Sequence, residues 1–86
     1  MSITVELTYD MAKKLGEQRF EVDDVPTVAD AVERARQRFG DGGEFEQLSR
    51  VAAVAVNGVL VNHRKGWKTQ LSPGDVVAFV KAAAGG

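Results

Sequence analysis

Residues 28–39 read VADAVERARQRF, and this stretch decides the architecture. Val28, Ala31, Val32, Ala35 and Phe39 recur at three- and four-residue spacing, which lines them along one stripe of a helix. Thr27 stands just before, with Asp30 three residues on, a capping box with Asp in place of the preferred Glu. Arg34, Arg36 and Arg38 gather towards the far end, where positive charge suits the helix dipole. Gly40 is placed to end the helix in a left-handed conformation.

On either side the chain reads as strand and turn. Ile3, Val5 and Leu7 alternate with Thr4, Glu6 and Thr8, a strand with one buried face. Asp10 precedes MAKKLG (11–16), a helical turn stopped by Gly16. RFEV (19–22) alternates again, with Phe20 and Val22 on one side, and Pro26 breaks the strand. After the helix, DGGEFEQLSR (41–50) reads as a loop whose Phe45 and Leu48 tuck into the core edge. VAAVAV (51–56) is a third strand, Asn57-Gly58 a strong hairpin signal, and VLV (59–61) a brief returning strand. NHRKGWKTQ (62–70) is a polar connection around Trp67, Pro73-Gly74-Asp75 a turn, and VVAFVK (76–81) the last strand.

The predicted order is strand, strand, helix, strand, short strand, strand. One amphipathic helix covers one face of a sheet, so the other face must meet water or a partner. Val77 and Phe79 are assigned to the helix side with Val54 and Val56. Val76, Ala78, Val80, Ala53 and Ala55 then fall on the open face. Small apolar side chains grouped there predict a flat docking patch.

Bulk properties narrow the function. Eighty-six residues, 44% of them hydrophobic and 27% charged, make one globular domain. Eleven basic and twelve acidic residues nearly cancel, without the basic excess usual in nucleic-acid binders. There is no cysteine, hence no disulfide framework, thiolate nucleophile or cysteine metal site. No apolar run approaches the roughly 20 residues that span a bilayer, and the opening MSITVELTYD has no secretory-signal pattern. His63 is the only histidine and lacks partners at metal-binding or catalytic spacing. Ser2, Ser49 and Ser72 have no nucleophile-elbow context. His63, Arg64, Lys65 and Lys68 around Trp67 are too thin a platform for RNA and read as a loop rim with Trp67 over the core.

The chain closes on Lys81-Ala82-Ala83-Ala84-Gly85-Gly86. Taken with Val56-Asn57-Gly58 and Gly74-Asp75-Val76-Val77-Ala78-Phe79, this ending resembles the ubiquitin-like β-grasp sulfur carriers, most closely the small subunit of molybdopterin synthase. The resemblance spans essentially the whole chain. It implies an α+β fold: a β-grasp domain over residues 1–81, with a mixed sheet of four to five strands and one main helix across one face. Residues 82–86 would form a flexible tail. Relatives commonly carry prolines there, where this chain has alanines.

The resemblance also implies the chemistry. The Gly86 carboxylate would be adenylated by a ubiquitin-activating-type enzyme that uses ATP, and then converted to a thiocarboxylate that donates sulfur. The recipient would be the large subunit of molybdopterin synthase or another sulfur-accepting enzyme. The chain itself would be a carrier with no active site, bound cofactor or metal, working in the cytoplasm without nucleic acid or membrane. Gly86 would carry the acyl group, and Gly85, Ala84, Lys81, Val80, Ala78 and Ala55 would meet the partner. Relatives also include carriers for thiamine and cysteine pathways, and archaeal-type modifiers joined to lysines through the terminal glycine.

Overall fold

The computed structural model describes residues 2–40, 43–61 and 66–81. Five strands, β1 (Ser2–Glu6), β2 (Arg19–Asp23), β3 (Ala52–Val56), β4 (Val59–Leu60) and β5 (Val76–Lys81), form one sheet in the order β2-β1-β5-β3-β4. Its two centre strands, β1 and β5, are parallel, and every other pair is antiparallel. The helix α2 (Val28–Phe39) lies in the crossover between the two halves of the chain. Parallel neighbours need such a connection.

The apolar stripe of α2 is buried as its spacing requires: Val28, Ala31, Val32 and Ala35 are all in the core. Thr27 caps it, accepting from the Asp30 N–H at 3.3 Å. Asp30 completes the cap differently from a capping box, because its shorter side chain accepts from the Thr27 hydroxyl at 2.8 Å. Gly40 has φ 81° but ψ −174°, so its positive φ is as expected while the chain leaves extended, without the left-handed turn. Residues 69–71 bind back onto the start of α2. Val28 donates to the Thr69 carbonyl, and Leu71 to that of Pro26.

Two segments differ from the sequence reading. MAKKLG belongs to a helix, α1 (Tyr9–Leu15), that starts two residues earlier than 11 because Thr8 caps it, accepting from the Met11 N–H at 3.1 Å. Residues 44–50, read as part of a loop, form a third helix, α3 (Glu44–Arg50). Phe45 is its buried residue and Leu48, three positions on, packs against the core, so burial of one face supports a helix with no side-chain cap. Val51, read as strand, is a turn residue and 72% exposed.

Ile3, Val5, Val22, Val77 and Phe79 share one core with the α2 stripe. Aromatic rings run across it. Phe20 of β2 meets Phe39 edge-on at 5.6 Å, Phe39 stacks with Phe45 at 5.8 Å, and Phe45 meets Phe79 of β5 edge-on at 5.6 Å. Such pairs add about 0.5–1.5 kcal/mol each beyond area burial, and these link β2 to β5 through α2 and α3. Trp67, in a short 3-10 turn (Gly66–Lys68), packs against the same core.

Candidate functional site: the open face of the sheet

Side chains directly opposite in a sheet share a face. Register therefore assembles the uncovered face row by row. Arg19, Glu6, Ala78, Ala55 and Leu60 lie in one row across all five strands. Glu21, Thr4 and Val76 form the row on one side, and Val80 with Ala53 the row on the other.

The face is divided. Its β5-β3-β4 half is apolar, made by Val76, Ala78, Val80, Ala53, Ala55 and Leu60. Its β1-β2 half is polar, with Glu6 accepting an ion pair from Arg19 at 3.2 Å beside Glu21 and Asp23. The Glu6–Arg19 pair abuts Ala78, so the charge boundary runs along β5.

Two features of the apolar half were not legible. Ala55 pairs with Ala78 and Leu60 on this face as expected but is only 4% exposed. Its most prominent side chain is Leu60, 65% exposed, which the strand pattern VLV left unassigned. The signal was the Asn57-Gly58 turn: a two-residue loop fixes register and so puts Leu60 opposite Ala55.

Of the residues expected to meet a partner, Val80, Ala78 and Ala55 are brought together. Lys81 is placed on the other face, opposite Ala52, where it lines a cleft of about 290 Å³ with Met11, Leu48 and Val51. Ala84, Gly85 and Gly86 lie outside the described residues, as does His63. Among the described residues no group of three or more His, Cys, Asp or Glu is placed to hold a metal ion. Nor is any helix there long and apolar enough to cross a membrane.

A hydrogen-bonded knot fixes the lower end of β5. The Asn57 side chain donates to Asp75 Oδ1 at 3.0 Å and accepts from the Val76 N–H at 2.9 Å, while Asp75 Oδ2 accepts from the Ser72 N–H at 2.8 Å. The Asn57 N–H donates to the Val76 carbonyl at 2.8 Å. The Ser72 N–H, and then Asn57, hold the Asp75 carboxyl below the usual carboxylate range. The hairpin turn is thereby tied to the strand that leads to the terminal glycines.

The ThiS family matches residues 5–86, nearly the whole chain. The chain belongs to the ThiS family. Its fold is that of the ubiquitin-like sulfur carriers and modifiers. This ThiS-family chain is similar to SAMP1 from Haloferax volcanii, with 27% identity over 100% of both chains and a TM-score of 0.68. A chain of the complex of subunits 1 and 2 of the molybdopterin-converting factor from Helicobacter pylori matches at 24% identity, over 100% of both chains, with a TM-score of 0.65. A chain of the BexX/CysO complex from Amycolatopsis orientalis matches at 24% identity over 98% of this chain and 99% of that one, with a TM-score of 0.73. At these last two identities the likeness is one of fold. No curated protein sequence matches the chain.

Proposed function

We propose that this ThiS-family protein carries sulfur on the carboxyl group of Gly86. The observation that carries the reading is that the family match runs through Gly85 and Gly86, on a body whose last strand holds the apolar half of an uncovered sheet face. A carboxylate is a poor acyl electrophile. An ATP-using, ubiquitin-activating-type partner joins it to AMP and releases pyrophosphate. A sulfur nucleophile then displaces AMP, leaving a thiocarboxylate. A second enzyme accepts that sulfur, and water restores the carboxylate.

In this reading the chain supplies no catalytic side chain. Its residues bind and position. Val80, Ala78, Ala53 and Leu60, around Ala55, seat the partner, and Glu6, Arg19 and Glu21 set its orientation, since charge patterns fix register more than affinity. The five residues after Lys81 reach at most about 18 Å when extended, enough to thread a buried site. Glycine at 85 and 86 lets the backbone approach a nucleotide closely.

The sulfur is proposed to go to molybdopterin synthesis, with a synthase large subunit as acceptor. Support comes from the fold likeness to a chain of the molybdopterin-converting-factor complex. The likeness to a chain of the BexX/CysO complex supports an acceptor subunit without fixing its pathway. A second reading, a modifier joined to lysines through Gly86, is favoured by the 27% identity with SAMP1. ATP–pyrophosphate exchange with the organism's ubiquitin-activating-type enzyme tests the adenylation step. Exchange that depends on this protein and vanishes when Gly86 is deleted is the expected result, and exchange that survives the deletion would contradict it.

A further inference from the structure

The Asn57-Gly58 turn carries a chemistry that the carrier reading does not use. When an asparagine is followed by glycine, no side chain shields the next backbone nitrogen, and that nitrogen can attack the asparagine's own amide. We propose that Asn57 is a latent self-modification site, which the Asn57–Asp75–Val76 hydrogen bonds keep closed in the folded protein.

The reaction needs no other protein. The Gly58 nitrogen gives up its proton to solvent and bonds to Asn57 Cγ. The Cγ–Nδ2 bond breaks, and the nitrogen leaves as ammonia. Water then opens the cyclic imide to aspartate or isoaspartate, so the net change is asparagine plus water to an acid plus ammonia. Nothing is oxidised or reduced.

Access to this turn is open. Gly58 has no atom within 4 Å of where a Cβ would stand, and Asn57 is exposed. Geometry provides the restraint. Both turn residues have positive φ, 50° at Asn57 and 84° at Gly58, as in the primed turns that suit hairpins. Both polar atoms of the Asn57 amide are occupied, Nδ2 on Asp75 and Oδ1 on the Val76 N–H. Attack on Cγ requires the amide to rotate out of both bonds and the turn to reorganise, which local opening allows.

The product would not fit the knot. An acid at 57 has lost the Nδ2 donor and sets a second carboxylate against Asp75, which already accepts from the Ser72 N–H. Isoaspartate also inserts a backbone carbon into a hairpin whose turn fixes register. Modification therefore loosens the join between the turn and the first residue of β5. The site acts as a clock that reports how often this join opens.

Ageing the purified full chain at neutral pH and 37 °C tests this, with peptide mass spectrometry following the exchange of NH for O at Asn57 and isoaspartate located by fragmentation. The native protein is compared with the same protein in urea and with Asp75→Ala and Asp75→Asn. Expected are slow conversion in the native fold, fast conversion in urea, and conversion about fivefold faster in Asp75→Ala, the worth of one net hydrogen bond. Asp75→Asn, which keeps an acceptor for Nδ2, should fall between. Native protein converting as fast as unfolded protein would overturn the proposal, as would a folded Asp75→Ala at the native rate. If Asp75→Ala does not fold, the native-against-urea comparison still decides.

Discussion

Ala78 of β5 lies directly between Glu6 of β1 and Ala55 of β3 in the sheet register, at the line where the charged half of the open face meets the apolar half. A substitution there reports on docking, provided that its charge does not oppose Glu6. Ala78→Lys satisfies this, because like charges directly opposite are destabilising and opposite charges are not. Its melting temperature should stay close to that of the parent. Its affinity for the proposed adenylating partner should fall by about 2 kcal/mol, because docking strips water from a charged headgroup in an otherwise apolar patch. Thermal melting checks the first and titration calorimetry the second, and parental affinity would remove Ala78 from the interface.

Leu60 offers the complementary test. At 65% exposure it contributes little to folding, so Leu60→Ala should change stability by no more than about 0.5 kcal/mol. If Leu60 anchors the partner it should cost over about 1 kcal/mol of binding. A loss in stability without a loss in binding would make it a packing residue.

Phe45 was placed at the core edge by sequence and stands in the middle of the aromatic series. Phe45→Ala should cost about 3–5 kcal/mol, a large share of the roughly 5–15 kcal/mol that holds a domain together. Urea unfolding measures this. A cost below about 1 kcal/mol would mean that α3 is not part of the cooperative core.

Acid stability follows from the direction of three carboxyl shifts. Glu17 is held below its usual range by hydrogen bonds from Arg38, Glu33 by Arg36, and Asp75 by the Ser72 N–H and then Asn57. A depressed folded pKa stabilises the fold fully above the ordinary carboxylate range and is lost as pH falls through the folded value. The melting temperature should therefore hold at neutral pH and drop below about pH 4. Arg38 donates to both Glu17 oxygens, at 2.8 and 2.7 Å, and covers Phe20 at 4.5 Å. Glu17→Gln should flatten part of the acid drop and keep the packing of Arg38 on Phe20. Because the Glu17–Arg38 pair is exposed, its share should shrink in high salt.

Backbone space gives a separate check at Gly66. An added Cβ there would meet Val61 Cβ at 2.5 Å. Gly66→Ala should destabilise by about 1–3 kcal/mol in urea unfolding, and an unchanged midpoint would show that the backbone gives way cheaply.

Much of this was written in the sequence wherever one local rule acted alone. The Val28–Phe39 stripe, the Thr27 cap and the alternation of Ile3 and Val5 each follow from periodicity, and the structure places them as read. The helix α3 was hidden because seven residues after two glycines carry no cap, and only the Phe45–Leu48 spacing hinted at it. Its stability is tertiary, through Phe39 and Phe79. On the open face, Ala78, Val80 and Ala55 were legible as a pattern of small residues. The burial of Ala55 and the prominence of Leu60 were not, because both depend on register across three strands. The division into charged and apolar halves depends on the pairing of β1 with β5, which are far apart in sequence.

Intact-mass spectrometry of the protein from cells with an active sulfur pathway tests whether Gly86 carries sulfur. A species heavier by one exchange of oxygen for sulfur is expected, with fragmentation placing it on Gly86. It should be absent when one alanine is added after Gly86, since that shifts the reacting carbon by about 3.5 Å, more than positioned chemistry tolerates. Sulfur loaded at the parental rate on the extended chain would rule out a reactive Gly86 terminus. Gly86 found only in bonds to lysine side chains, and never as a thiocarboxylate, would replace the carrier with the modifier.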